Sequence, residues 1–150
     1  MSALLSKNRL IVLLIILSES LMAQYQPRGE KFNYLDAEKF YATGNYHDAL
    51  SLFEVLIKDY PKTVEYKLKA GICQLYLNND SQKSIDYIKA VYDKKPKTEN
   101  VLYYLAKAYA LNYNFDLAIE TFNQALSSSK TSANFKSEIT HLIEQCNNGK

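Results

Sequence analysis

The chain has 150 residues, the size of one domain, and its 47% hydrophobic and 23% charged residues are ordinary globular usage, which argues against a disordered tail protein. The formal net charge is only +2, and no basic run of the kind that displaces counterions from nucleic acid is present, so a nucleic-acid partner is not expected. Four glycines and three prolines favour long helices over a many-stranded sandwich, and 13 tyrosines with no tryptophan supply rings with a wet hydroxyl, suited to half-buried helix faces and grooves.

The first 23 residues read as an export signal. Lys7 and Arg9 form a positive start, Leu10 to Leu17 is an unbroken apolar run, and Ser18 to Ala23 is a polar-to-small exit. Eight apolar residues rise only about 12 Å as a helix, far short of a bilayer core of about 30 Å. Cleavage after Ala23 is therefore expected, giving an exported chain that begins at Gln24. The alternative is a membrane anchor that stays uncleaved. No cysteine follows the apolar run, so lipid attachment is not expected. Removing residues 1–23 takes away Lys7, Arg9 and Glu19 and leaves the charge close to balance. Residues 24–30 read as a short linker.

A repeat occupies residues 31–147. A small residue followed by an aliphatic one recurs at Ala49-Leu50, Ser84-Ile85 and Ala118-Ile119, and a large apolar residue follows at Phe53, Ile88 and Phe122. Pro61 and Pro96 close the first two units; Lys130 stands at the corresponding place in the third. Upstream of each doublet lies a second helical stripe. It comprises Ala37, Phe40 and Tyr41, then Leu68, Ile72 and Leu75, then Leu102, Leu105, Ala106 and Tyr109. Each unit is thus helix, turn, helix and break, with units over about 31–61, 62–96 and 98–130. In the second unit the turn at Asn78–Ser81 reads as one residue longer, which leaves the register of helix 62–78 open by one. Residues 131–147 form a closing helix with Phe135, Ile139, Leu142, Ile143 and Cys146 on one stripe, opposite Lys136, Glu138 and Glu144. Thr131 or Ser132 is expected to cap its start.

Small residues at Ala37, Ala49, Ala106 and Ala118 are expected where helix backbones approach, with Phe40, Phe53, Tyr109 and Phe122 filling the space between units. Cys73 and Cys146 fall in units too far apart to bridge and are expected to remain buried thiols. His47 and His141 have no ligand at metal spacing, and no nucleophile motif or phosphate-cradling loop occurs. Asp36 with Glu38, and Asp48 with Glu54, read as solvated helix surface. No enzyme activity, metal, cofactor or small-molecule substrate is expected.

The pattern resembles the tetratricopeptide repeat. Leu102, Leu105, Ala106, Tyr109, Ala118 and Phe122 match its signature best; Ala37, Phe40, Gly44, Tyr46, Ala49, Phe53 and Pro61 match it in the first unit, where Asn33 and Asp36 replace usual large apolar residues. The resemblance implies an all-α, right-handed α-solenoid of about three helix hairpins plus a C-terminal capping helix. It also implies a concave groove, formed by the first helices, that binds a peptide or partner helix. By repeat alignment the groove displays Tyr34, Glu38 and Tyr41, then Lys69 and Tyr76, then Asn100, Tyr103 and Lys107. These tyrosines either anchor a partner or merely cover helix seams. The lysine–asparagine clamp by which some members hold a chaperone's C-terminal carboxylate is not reproduced, since Tyr34 and Glu38 occupy two of its places.

A narrower resemblance rests on Gly71-Ile72-Cys73, Tyr103-Tyr104-Leu105-Ala106, Leu111-Asn112-Tyr113 and Ile143-Glu144-Gln145-Cys146. These look like the N-terminal repeat module of Bacteroidetes-type envelope proteins, which carry a β-propeller and an outer membrane protein A-like wall-binding domain; some serve type IX secretion and gliding. The implied function is a protein-binding adaptor of the periplasm or outer-membrane envelope, with a protein or peptide partner and no transmembrane span once the signal is removed. The alternative is a structural module packed inside a larger envelope assembly, binding no free peptide.

Overall fold

A computed structural model describes residues 29–149; the expected export signal and most of the linker lie outside the described residues. Among the described residues the chain forms seven helices and no strand: α1 (Glu30–Ala42), α2 (Tyr46–Asp59), α3 (Val64–Leu77), α4 (Ser81–Lys94), α5 (Val101–Leu111), α6 (Phe115–Ser127) and α7 (Ala133–Asn148). Each helix packs on the next, and α3 on α5 and α5 on α7 also touch. That adjacency is a helical solenoid: α1–α2, α3–α4 and α5–α6 are hairpins, and α7 takes the place of a fourth unit's first helix.

The breaks between hairpins follow from local chemistry. Proline disfavours helical geometry in the residue before it, and Tyr60 and Lys95, which precede Pro61 and Pro96, take nearly the same non-helical backbone (φ −127°, ψ 63° and φ −138°, ψ 67°). Thr63 N–H then donates to Tyr60 O and Thr98 N–H to Lys95 O, so the two breaks are built alike. At the starts, the side chains of Asn45 and Asp80 accept from the backbone N–H groups of Asp48 and Lys83, the bond that an N-cap supplies. Ser132 precedes α7, but its side chain makes no capping bond, contrary to expectation. Its backbone N–H instead donates to Asn100 Oδ1 at 2.8 Å.

All three hairpin turns have the same length, so the second unit's extra residue lengthens α3 and not the turn. The turns differ in where the left-handed residue sits. It is the middle residue in the first and third, Gly44 (φ 75°) and Tyr113 (φ 59°), and the first residue in the second, Asn78 (φ 48°).

Three buried clusters run along the stack. Ala49, Leu50, Phe53 and Leu56 of α2 meet Tyr66, Ala70 and Cys73 of α3. Ile85, Ile88 and Val91 of α4 meet Val101, Leu105 and Ala108 of α5. Ala118, Phe122 and Ala125 of α6 meet Ile139 and Cys146 of α7, with Tyr103 and Ala106 of α5. The stripe Tyr66/Ala70/Cys73 therefore does in α3 what Val101/Leu105/Ala108 does in α5. All four small residues picked from the sequence, Ala37, Ala49, Ala106 and Ala118, are fully buried. Gly71 is small for the same reason: a Cβ there would lie 2.6 Å from a side-chain carbon of Ile88, and Ser84 Oγ donates to its carbonyl at 2.9 Å. Cys73 and Cys146 lie in the first and third clusters and are not bridged to one another.

Candidate protein-binding face

The first helices of the hairpins carry a band of tyrosines. Tyr41 near the end of α1 meets Tyr46 at the start of α2 edge-on, with centroids 5.8 Å apart. Tyr46 stacks flat on Tyr76 near the end of α3, at 4.4 Å and 7°. On α5, Tyr104 meets Tyr103 at 5.2 Å and Phe135 of α7 at 5.6 Å, both edge-on. Offset-stacked and edge-to-face rings are the favoured arrangements of aromatic pairs, so the band is held as well as exposed. Tyr76 remains 54% accessible and is the open end of the stack.

Lysines and glutamates alternate with the rings. Lys69 Nζ lies 4.1 Å from the centre of the Tyr41 ring and donates to Glu38 Oε2 at 3.2 Å. Lys107 Nζ lies 5.3 Å from the Tyr103 ring and 3.7 Å from Glu138 Oε1. Lys69 thus joins α3 to α1 through a ring and a carboxylate, and Lys107 joins α5 to α7 through the Glu138 carboxylate while lying over a ring of its own helix. Glu38 Oε1 is buried without a hydrogen-bond partner among the described residues. Beside it, Tyr34, Glu38, Val64, Leu68, Lys69 and Lys95 line a groove of about 260 Å³ between the first two units.

The structure thus brings Tyr34, Glu38, Tyr41, Lys69 and Tyr76 onto neighbouring parts of the first two units, with Lys107 further along. Two of the residues expected in the groove belong elsewhere. Tyr103 is only 2% exposed: α7 covers it, Phe135 stacks on it at 4.0 Å, and its hydroxyl donates to Glu138 Oε2 at 2.8 Å. It is a core residue at the α5–α7 seam. Asn100 has left-handed backbone (φ 58°); its N–H donates to Lys130 O and its Oδ1 accepts from Ser132 N–H, so it ties the start of α5 to the start of α7. Both of its polar groups are thereby engaged within the chain. Conversely, sequence reasoning passed over Tyr46, Tyr104 and Glu138. Tyr104 is legible in retrospect, because it stands 35 positions after Lys69, the shift that carries Tyr66/Ala70/Cys73 onto Val101/Leu105/Ala108.

The electrostatics favour neutral phenols. Burial, reinforced by Tyr76, Tyr46 and Glu138, pushes the Tyr104 hydroxyl up to about 12. Tyr66, buried and donating to Glu30 at 2.7 Å, is also pushed up to about 12. Tyr41 and Tyr103 are raised further, each chiefly by burial, with Glu138 adding to Tyr103. At neutral pH the band therefore presents hydroxyl donors and apolar ring faces and no phenolate nucleophile. The Cys73 thiol, pushed up to about 12 mainly by burial, is likewise inert as a nucleophile at that pH. Among the described residues no group of histidines, cysteines and carboxylates has the geometry to hold a metal ion, and no helix is long and apolar enough to cross a membrane.

A solenoid of helix hairpins with a ring-lined inner face is the architecture of a protein-interaction repeat. The chain matches the tetratricopeptide repeat family over residues 34–99 and again over 78–133, and it belongs to that family. The two matches overlap over residues 78–99, the stretch that contains α4. No curated protein matches the chain. Repeats of this family mediate protein–protein contacts and are typically not catalytic, which makes the chain a protein-interaction module.

Proposed function

We propose that the chain is an exported adaptor of the bacterial cell envelope, periplasmic or associated with the outer membrane, which holds an extended segment of a partner protein along α1, α3 and α5. The observation that carries the reading is the partly open tyrosine band of Tyr41, Tyr46, Tyr76 and Tyr104, with Lys69 and Glu38 beside it. Tyrosine is a low-entropy anchor, since its large ring turns about only two side-chain torsions and its hydroxyl pairs with a peptide backbone. Both lysines already pair with a glutamate, so an acidic partner gains less here than on a bare basic groove. Export rests on Lys7, Arg9 and the Leu10–Leu17 run, and the envelope setting on the narrower resemblance to envelope repeat modules.

The test has two arms. Fractionation and N-terminal sequencing of the native protein should find a chain starting near Gln24 in the envelope; an intact Met1 in the cytosol would remove the localisation while leaving the binding reading in place. Selection of peptides from a random library, followed by titration against the chain and Tyr76→Ala, should show about tenfold or greater weakening in the variant.

A further inference from the structure

The two ends of the stack are built differently. α7 closes the C-terminal end with a polar outer side, where Asn134, Ser137, Thr140, His141, Glu144 and Gln145 are exposed. At the other end, α1 and α2 present the surface that in later units is covered by the preceding hairpin. Phe32, Asp36 and Lys39 occupy in α1 the stripe that Tyr66, Ala70 and Cys73 occupy in α3, all three of them buried against α2. Phe32 is instead 64% exposed, and Leu35 beside it is exposed too. On α2 the stripe is Asp48, Ser51, Leu52 and Val55. Its counterparts in α4 include Tyr87, which packs against the first cluster, and Lys83, which pairs with Glu54 of α2 at 2.5 Å.

Between the two stripes runs a groove of about 430 Å³ with Phe40 and Leu52 among its lining and Asp36, Lys39 and Asp48 around them. A ring projects from this face, an apolar slot is cut into it, and it carries both charge signs. Those are the requirements of an isologous contact, in which the same patch meets itself and every pairing occurs twice. We propose that two copies of the chain associate through this face about a two-fold axis. Phe32 of each copy enters the Phe40/Leu52 groove of the other, and Lys39 of each lies against Asp48 of the other.

Head-to-tail stacking is disfavoured, because it would set the exposed Phe32 and Leu35 against the polar side of α7. The size of the face limits the strength of the dimer. Helices of 13 and 14 residues are about 20 Å long and pack about 9 Å apart. Such a face buries about 1,000 Å² over both copies, the low end for specific association. The dimer therefore forms and dissociates with concentration. It leaves the tyrosine band on each copy free, so one dimer offers two partner sites.

Sedimentation equilibrium of the full chain, from low to high micromolar concentration, tests this. The wild type should pass from monomer to dimer without larger species. Phe32→Asp should weaken dimerisation by about thirtyfold or more with an unchanged melting curve, since the side chain is exposed in the monomer. Lys39→Glu should weaken it as well, and Lys39→Glu combined with Asp48→Lys should restore it. A wild type that stays monomeric throughout would overturn the proposal and leave the face to another protein or to the chain before Gly29. A dimer indifferent to Phe32→Asp would also overturn it, placing self-association elsewhere.

Discussion

Tyr103 and Tyr104 are neighbours in sequence and differ completely in role. A helix turns by about 100° per residue, so one ring falls under α7 and the other toward the open face. Nothing in the pair Tyr103-Tyr104 states which, because the answer depends on where α7 docks, and Phe135 supplies that answer only in three dimensions. Tyr103→Ala is therefore expected to disturb the fold, because the ring is buried at the α5–α7 seam. Loss of a buried aromatic side chain commonly costs about 3–5 kcal/mol, and the same loss is expected here. Tyr103→Phe keeps the stack on Phe135 and loses the bonds that the hydroxyl donates to Glu138 and accepts from Lys107, for about 1–2 kcal/mol. Chemical-denaturation curves of both variants check the order; equal losses would mean that the hydroxyl, and not the ring, holds the seam. Tyr113 offers a contrasting case. It is 82% exposed and left-handed, a conformation that costs a non-glycine residue about 1–2 kcal/mol. Replacement by glycine removes that strain, offset by about 0.5–1 kcal/mol of added chain entropy and by loss of the edge contact with Phe115. Tyr113→Gly is thus expected to melt no lower than the parent, whereas an equivalent change at Tyr104 lowers the melt.

Helix pairing was the most legible feature, and the reason is specific. Ala49-Leu50, Ser84-Ile85 and Ala118-Ile119 mark where second helices meet first ones, and all three small residues are fully buried. The prolines mark the breaks because they set the backbone of Tyr60 and Lys95. The extra residue of the second unit was legible, but its place in α3 and not in the turn was not. Asn78 and Asn79 both tolerate the left-handed conformation, so the sequence Asn78-Asn79-Asp80 does not reveal which one ends α3. The choice of Asn78 lets α3 keep one more helical residue and shifts the left-handed position to the front of the turn. The nearness of Glu38, Tyr41 and Lys69 on α1 and α3 was readable from the repeat register, while Asn100 was misplaced because its partners, Lys130 and Ser132, come from a connection that carries no motif. The α3–α4 contact gives a direct check. Gly71→Ala places a methyl group against Ile88 and should destabilise the chain by about 1–3 kcal/mol, although alanine is the better helix former by about 1 kcal/mol. A thermal melt at or above that of the parent would show that α3 and α4 can separate without cost.

Across the whole molecule the tyrosines link stability to pH. A phenol whose folded pKa is raised favours the fold only while protonated. The stabilisation is complete below the unfolded value near 10 and is lost as pH rises through the folded values, about 12 for Tyr66 and Tyr104 and higher for Tyr41 and Tyr103. Stability is expected to be flat with respect to these groups around neutrality and to fall steeply above pH 10, with tyrosinate absorbance appearing together with loss of helical circular dichroism. Reversible ionisation of every tyrosine near pH 10 with the helices intact would show that the band is solvated. Because each unit touches only its neighbours, the face is a sum of local devices: the Tyr46–Tyr76 stack, the Lys69–Glu38 bridge over Tyr41, and Tyr104 against Phe135. On the proposed function these devices receive the partner, and the face formed by α2, α4 and α6 does not. The most direct measurement is a titration of a library-selected peptide into the isotopically labelled chain, followed by backbone and tyrosine resonances. Saturable shifts confined to Tyr41, Tyr46, Lys69, Tyr76 and Tyr104 are expected, with weakening of about tenfold or more in Tyr76→Ala and an unchanged melting curve. Shifts centred on α4, α6 and the part of α2 beyond Tyr46, with Tyr76→Ala binding as tightly as the parent, would contradict it.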